Sequence, residues 1–570
     1  MHKRQKSGFL SALICLFTLF LTSCSFFGNN QSGPPVKASA DKQVLILPKT
    51  GISDFATLDP AQVSDLTGTS TVQMLFTGLV QIDDHMQVRP QIAKSWELGP
   101  DGMTWTFHLK PNLKFSDGTP LTAKDVAYSL NRALLPATKS TIAPIYLGLI
   151  KDSDNLLAGH LSTLIGDSIV VNDSSTLVIT TSKKAPYFLS MLSNPCADVV
   201  EKSLIDTYGS QFTDHLDVGG SSGPFKTLLY THGKELDLVP NPYYYGPRPQ
   251  LRKVILPFYQ QTNDEYMAYQ EGKVDISDIP TNVFPDAKKR DDFHQVPQLW
   301  VNYYTMNYLI KPFDNIKIRQ AFELAIDKNA IARTVWQNTL LPTNHIIPQG
   351  MPGYNPDLSG PDGTQNLGGN PNKARILLQE GLQEEKIASA AQLPPIKLTY
   401  VTGVSSFDRE VSVMIQMWQK VLHVNVTPNP VDFNTLLDQV TASANNANGL
   451  QFWGLAWIAE YPDPQNWLSE QFGNGTQNNS MNYGQNTSDD AARQVILQQQ
   501  LANADSDPQP DTRQKAYQQA EQQLINEVAW MPMEQITTTF LRKAYVIGMV
   551  DNAQSQIPPD DWANIYIAQH

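Results

Sequence analysis

The sequence predicts an α/β fold, and three observations carry that reading. Residues 103–109 alternate, with Trp105, Phe107 and Leu109 on one side and Thr104, Thr106 and His108 on the other, the period of a half-buried strand. Ile318, Ala321, Phe322 and Ala325 fall at i, i+3, i+4 and i+7, which turns one side of a helix into a core. The chain has 570 residues, room for roughly three or four domains with large cores, and the mixture of both patterns is compatible with α/β lobes.

The amino terminus stands apart from that body. Lys3, Arg4 and Lys6 precede an unbroken apolar stretch, residues 9–21, which ends at Leu21-Thr22-Ser23-Cys24. A basic start and an apolar core too short to span a bilayer comfortably describe an export signal. Leu-x-Ser-Cys resembles a bacterial lipobox, with Ser23 where Gly or Ala is more usual, and on that reading residues 1–23 are removed and Cys24 is lipidated. Each buried CH₂ adds about 0.8 kcal/mol, so several acyl chains hold a protein on a membrane where one would not. A plain cleaved signal and an uncleaved anchor are the alternatives, and each still places the body outside the cytoplasm. Residues 24–42, polar and carrying Pro34-Pro35, read as a flexible tether.

Composition narrows the partners. Lys+Arg 42 against Asp+Glu 55 gives a formal net charge of -13, with no basic run beyond the first residues. Nucleic acid is therefore excluded as a partner, because binding it needs clustered cations that displace counterions. Of 3 cysteines, Cys15 lies in the signal and Cys24 is the lipid candidate, so Cys196 is left unpaired as a small core hydrophobe. No H-E-x-x-H, paired-cysteine site or P-loop occurs, so neither a metal nor a cofactor is expected.

Along the body, Val44-Leu45-Ile46-Leu47 reads as the opening strand. Leu113 and Phe115 start a second alternation that stops at Asp117-Gly118. Thr122 and Asp125 make a T-x-x-D helix start, followed by Val126, Ala127, Leu130, Ala133 and Leu134 on one helical face. A hairpin pattern folds at His232-Gly233. Asp327 suits a helix cap, and Asn370-Pro371 opens another helix that Gly381 can end. Residues 474–488, rich in Asn, Gln and Gly, read as an irregular surface loop.

The order of these pieces carries a resemblance. W-E, D-G-x-x-W-T-F-x-L, F-S-D-G-T-P-L-T-A-x-D-V and Y-S run without a gap through residues 90–132. Thr57-Leu58-Asp59-Pro60, Leu75-Phe76-Thr77-Gly78-Leu79 and N-x-x-x-x-P-F-D-x-x-x-x-R-Q-A-x-x-x-A-I-D from Asn307 add to it. Together they resemble family 5 of the extracellular solute-binding proteins, the oligopeptide and dipeptide receptors of ABC importers, over residues 44–544. The resemblance implies a two-lobed, periplasmic-binding-protein-like clamshell of type II, its lobes joined by two crossing strands. It places the first lobe in residues 43–86, 216–300 and 536–570, an inserted subdomain in 87–215 and the second lobe in 301–535. It also implies a monomeric receptor that binds short peptides, works with membrane permease subunits, and catalyses nothing.

Receptors of this kind carry W-x-A-D-Y-x-D/E-P, in which the Asp pairs with the peptide's free α-amino group. The matching stretch here is Trp457-Ile458-Ala459-Glu460-Tyr461-Pro462-Asp463-Pro464, so Glu460 takes that place with one methylene more. Asp463 before Pro464 suits an N-cap and counts as structural. Ala456, Trp457 and Ile458 lie on the adjoining strand, which can hydrogen-bond a peptide main chain, and Tyr461 follows in the same motif. By the same resemblance Ser64, Asp65 and Leu66 make main-chain contacts from the opposite lobe, while Trp457 and Phe433 line side-chain pockets, Phe433 having a core aromatic as its alternative. Arg409 lies near the family's His/Lys stretch, but no residue is assigned to the peptide carboxylate.

Two other readings compete. An oligosaccharide receptor of the same architecture would use Trp453, Trp457 and Trp467 as stacking platforms. A serine hydrolase would use Gly219-x-Ser221-x-Gly223, a formal nucleophile-elbow match that leads into a hairpin pattern instead of a helix.

Overall fold

The computed structural model describes residues 35–570; the export signal, Cys15 and the lipidation candidate Cys24 lie outside them. The first strand, β1 (Val44–Ile46), is followed by helix α1 (Leu66–Leu75), whose N-terminus Asp65 caps by accepting from the Gly68 N–H at 2.8 Å. The chain then enters an inserted unit made of β2 (Ala93–Leu98), β3 (Thr104–Leu109), α2 (Ala123–Leu134), β4 (Ile169–Asp173) and β5 (Thr176–Thr180). Its strands form an antiparallel sheet in the order β2-β3-β5-β4. Trp105, Phe107 and Leu109 are buried against Val126, Ala127, Leu130 and Leu134 of α2, so the period-2 and period-3.6 faces meet in one core. The start of α2 is a full capping box between Thr122 and Asp125. Leu113 and Phe115 are buried but form no strand. The turn at Asp117-Gly118 closes immediately, Phe115 N–H donating to the Thr119 carbonyl at 2.9 Å, and leaves only a bridge between Lys114 and Pro120.

Returning from the insertion, β6 (Phe225–Thr231) and β7 (Glu235–Pro240) make the hairpin at His232-Gly233, and β8 (Lys253–Tyr259) pairs parallel with β1 through Val44 and Lys253. The sheet order is β1-β8-β7-β6. The carboxyl terminus completes this first lobe: Trp562, Ile565 and Ile567 share a core with Leu45, Val72, Leu236 and Val254. The far end of the expected tether is also part of it. Ala38 N–H donates to the Ile567 carbonyl at 2.9 Å and Gln569 N–H to the Val36 carbonyl at 2.8 Å, so residues 36–38 are docked where a free linker was expected. The buried Gln43 amide fixes this end by donating to both Ala38 and Ile567 carbonyls.

The second lobe is built on β9 (Phe293–Met306), α3 (Ile316–Leu324), β10 (Ile396–Val401), α4 (Ser405–Leu422), β11 (Val426–Val431), α5 (Phe433–Thr441), β12 (Phe452–Ile458) and β13 (Met531–Arg542). Its sheet runs Ile276–Asp278, β13, β9, β12, β10, β11. Ile318, Ala321, Phe322 and Ala325 are buried with Trp418 of α4 and Phe452 of β12. Asp327 and Asn370 cap the helices that follow them. Gly381 does not end its helix, which runs Pro371–Glu384; a Cβ there would meet Ile318 Cγ1 at 2.7 Å, so the glycine lets that helix lie close to α3. Residues 474–488 are irregular but not superficial. Asn482 is fully buried, and its amide donates to Asn307 Oδ1 and to the Ser443 and Ser480 carbonyls, satisfying backbone that a helix or sheet would otherwise pair.

The two lobes are joined by the antiparallel pair β9 and β13. One end of the pair, Phe293 opposite Leu541, belongs with Tyr269 and Val274 beside the first lobe; the other, Tyr304 opposite Met531, belongs to the second-lobe core. Between them the ladder slips from Pro297 to Val301, where proline has no N–H to donate.

Candidate ligand site

The last turns of β12 leave it half unpartnered. On one side it is zipped to β9 through Asn302–Ala456, Val301–Trp457 and Trp300–Ile458. On the other, β10 reaches only Phe452 and Trp453, so from Gly454 onward that edge has no strand partner among the described residues. Such an edge presents alternating N–H and C=O groups and is the geometry that accepts an added strand.

Glu460 follows directly. Its backbone N–H donates to Asn466 Oδ1 at 3.0 Å while the Asn466 amide donates back to Glu460 Oε2 at 3.1 Å. One buried asparagine thus fixes both the loop and its carboxylate. The Trp457 indole N–H donates to the same Asn466 Oδ1 at 3.3 Å. From the inserted unit the Tyr146 hydroxyl donates to the Glu460 carbonyl at 2.9 Å. Burial, with the Glu470 charge nearby, pushes the Glu460 carboxyl above the usual carboxylate range, against the pull of the Asn466 amide.

Tyr461 does not share this position. It is 4% exposed and its ring stacks on Tyr187 of the inserted unit at 6.0 Å between centroids, with Tyr146 edge-on to it. The motif tyrosine is a packing contact between the second-lobe loop and the inserted unit, and is withdrawn from the predicted ligand contacts. Asp463 caps Pro464–Asn466 and is held in a bidentate pair by Arg513, a structural acid as its sequence position implied.

Glu460 lines a cleft that is open to solvent. The walls come from α1 (Thr69, Gln73), from the strand and loop around Gln81, from Asn194 and Asp198 of the inserted unit, and from the Glu460 loop. Asn466, Tyr146 and Asp198 were not picked out from the sequence. Asn466 carried a usable signal, since an asparagine inside a capped turn after the acid is placed to bond backwards.

The remaining predicted residues are scattered in exposure. Ser64, Asp65 and Leu66 are exposed, but the Asp65 carboxylate is engaged as the α1 cap. Phe433 opens α5 and is 54% exposed, which removes the core-aromatic alternative. Ile458 is exposed, Ala456 and Trp457 are half-buried, and none of these, nor Ser64, Asp65, Leu66 or Phe433, lines the Glu460 cavity. Arg409 is exposed and donates to Ser406 Oγ within α4. Trp453 and Trp467 are sealed in the second-lobe core, so two of the three sugar platforms are not available. Ser221 is fully buried and is followed by β6 where an elbow needs a helix, so the hydrolase reading fails.

Known proteins agree with this architecture. The family model described as "Bacterial extracellular solute-binding proteins, family 5 Middle" matches residues 87–479. The chain is 27% identical over 472 residues to the oligopeptide-binding protein OppA of Bacillus subtilis, covering 81% of this chain and 84% of that one. It is 27% identical over 545 residues to the periplasmic oligopeptide-binding protein OppA of Salmonella typhimurium, covering 93% and 94%. In fold it is similar to the unliganded open form of the murein tripeptide binding protein MppA, with a TM-score of 0.79, 24% identity and coverage of 94% and 99%. An architecture of two lobes on crossing strands, with a polar cavity where they and the inserted unit meet, and a family match across most of the body lead to one assignment: the chain belongs to the bacterial extracellular solute-binding proteins of family 5.

Proposed function

We propose that this protein captures short peptides with free amino termini and hands them to an ABC permease, working on the outer face of the cell membrane to which Cys24 anchors it. Glu460 carries the proposal: a carboxylate fixed by Asn466, with no cation bonded to it among the described residues, that lines the cleft and follows closely in the chain on β12, whose edge lacks a strand partner from Gly454 onward. The ammonium head of a peptide would compensate Glu460, and its main chain would extend the sheet as an added strand along residues 454–458. Side chains would project alternately into water-containing space, which suits a receptor that accepts many sequences. The names of the oligopeptide-binding relatives support the same reading.

Isothermal titration with tri-alanine and its acetylated form tests it. Glu460→Ala is expected to weaken the free peptide by roughly 10- to 100-fold, the worth of a hydrogen bond to a charged group, and to leave the acetylated one nearly unchanged. Equal losses for both would remove Glu460 from this role, and absence of heat with any peptide would end the peptide reading.

A further inference from the structure

Asp198 has no task in the reading above. It follows the single turn Pro195–Ala197 of the inserted unit, is 7% exposed, and lines the same cavity as Glu460. Its Oδ2 is buried without a hydrogen-bond partner, and burial alone pushes the carboxyl well up, with no cation acting against it. The neighbour on the cavity wall is Gly78, where a Cβ would stand only 3.0 Å from Asp198 Oδ1, so a larger residue there would crowd the carboxyl. An isolated buried acid is costly, and packing gains nothing from its charge.

The rest of the wall sharpens this. Among the described residues that line the cavity there is no Lys, Arg or His. Asp83, the third acid, is already paired with Arg89 at 2.6 Å. Gln73, Gln81, Gln91, Asn194 and Asn552 supply hydrogen-bonding groups but no charge. Two acids without a cationic partner therefore share one cavity, and a peptide amino terminus compensates only one of them.

We propose that Asp198 receives a second positive charge from the ligand, so that the site selects peptides carrying a lysine or arginine side chain close to their free amino terminus. This rests on the peptide reading of the Glu460 site. The test is titration of the wild-type protein and Asp198→Asn with Lys-Ala-Ala, Ala-Lys-Ala, their glutamine counterparts and tri-alanine. Wild type is expected to favour one lysine peptide over its glutamine counterpart by roughly 10- to 100-fold. Asp198→Asn, which keeps the side-chain shape, is expected to bring lysine and glutamine peptides to equal affinity while still binding tri-alanine. Equal affinity for lysine and glutamine peptides in wild type overturns the inference and leaves the peptide reading intact. A preference that survives in Asp198→Asn, or loss of tri-alanine binding by that variant, overturns the role of Asp198. No binding of any peptide to wild type overturns both readings.

Discussion

Glu460 is held where its charge is expensive, and on the proposed reading a peptide ammonium compensates it. Burial and Glu470 raise its proton affinity, so protonation competes with an incoming ammonium at a higher pH than for an ordinary glutamate. Affinity for free-amino peptides is therefore expected to fall on acidification below about pH 6.5, where the peptide α-amino group, with a pKa of roughly 7.7–8.0, is already charged, and titrations between about pH 6.5 and pH 4 check it. The acetylated peptide should show no such slope. A second buried acid reports on stability instead. Glu521 is pushed up to about 8 by burial, against the two backbone N–H groups of Ile346 and Ile347 that donate to it at 2.9 Å. A raised folded-state value means that its stabilising contribution is complete below the ordinary glutamate range and is lost as pH rises through about 8. Glu521→Gln should flatten the stability loss between pH 5 and pH 8, by up to about 1.4 kcal/mol per pH unit, in urea unfolding at each pH. Arg513 is the opposite case, a cation already satisfied by Asp463; Arg513→Ala leaves that acid buried and alone and should cost about 3–5 kcal/mol by the same measurement.

At the scale of elements, the open edge of β12 makes a prediction about ligands. If residues 454–458 bond the peptide main chain, methylating one ligand amide removes a donor without changing any side chain. Affinity should drop roughly three- to tenfold at amides that face the edge and stay level at those that do not, as titration of a methylation series would read. Elements were legible in the sequence wherever a period ran to its natural stop. The β3 alternation, the α2 capping box and the Ile318 face of α3 are set by local spacing, and local spacing is what a sequence displays. Leu113 and Phe115 failed as a strand because a turn closed before any partner could pair. Gly381 failed as a helix end because its purpose is the approach of a neighbour, Ile318, that no local pattern encodes. The asparagines of residues 474–488 looked like surface because their role, bonding distant buried backbone, depends on tertiary placement. The site divides the same way: Glu460 was read from its motif, whereas Tyr146, which donates to the Glu460 carbonyl, and Asp198, which lines the cavity, come from the inserted unit and arrive there only through folding.

For the molecule as a whole, the β9–β13 pair makes the lobes one covalent object with a soft place at Pro297–Val301, where the ladder slips. Hinge closure over a ligand needs a few residues that absorb backbone rotation, and this irregular stretch offers them. Peptide binding is expected to raise the unfolding free energy by RT ln(1+[L]/Kd), about 2.7 kcal/mol at 100 Kd, and with it the unfolding temperature, and to reduce the radius of gyration in solution scattering. A thermal gain without compaction would place the moving part elsewhere.

The two chain ends are tied together, with Gln43 gripping Ile567 across 524 positions. Whatever is fastened to either terminus, be it an acyl group, a purification tag or a sensor surface, therefore hangs from the same half of the molecule. The other half carries neither end, so immobilising the protein by one terminus is expected to leave the proposed closure and peptide affinity unchanged, as titration of the surface-bound protein would check.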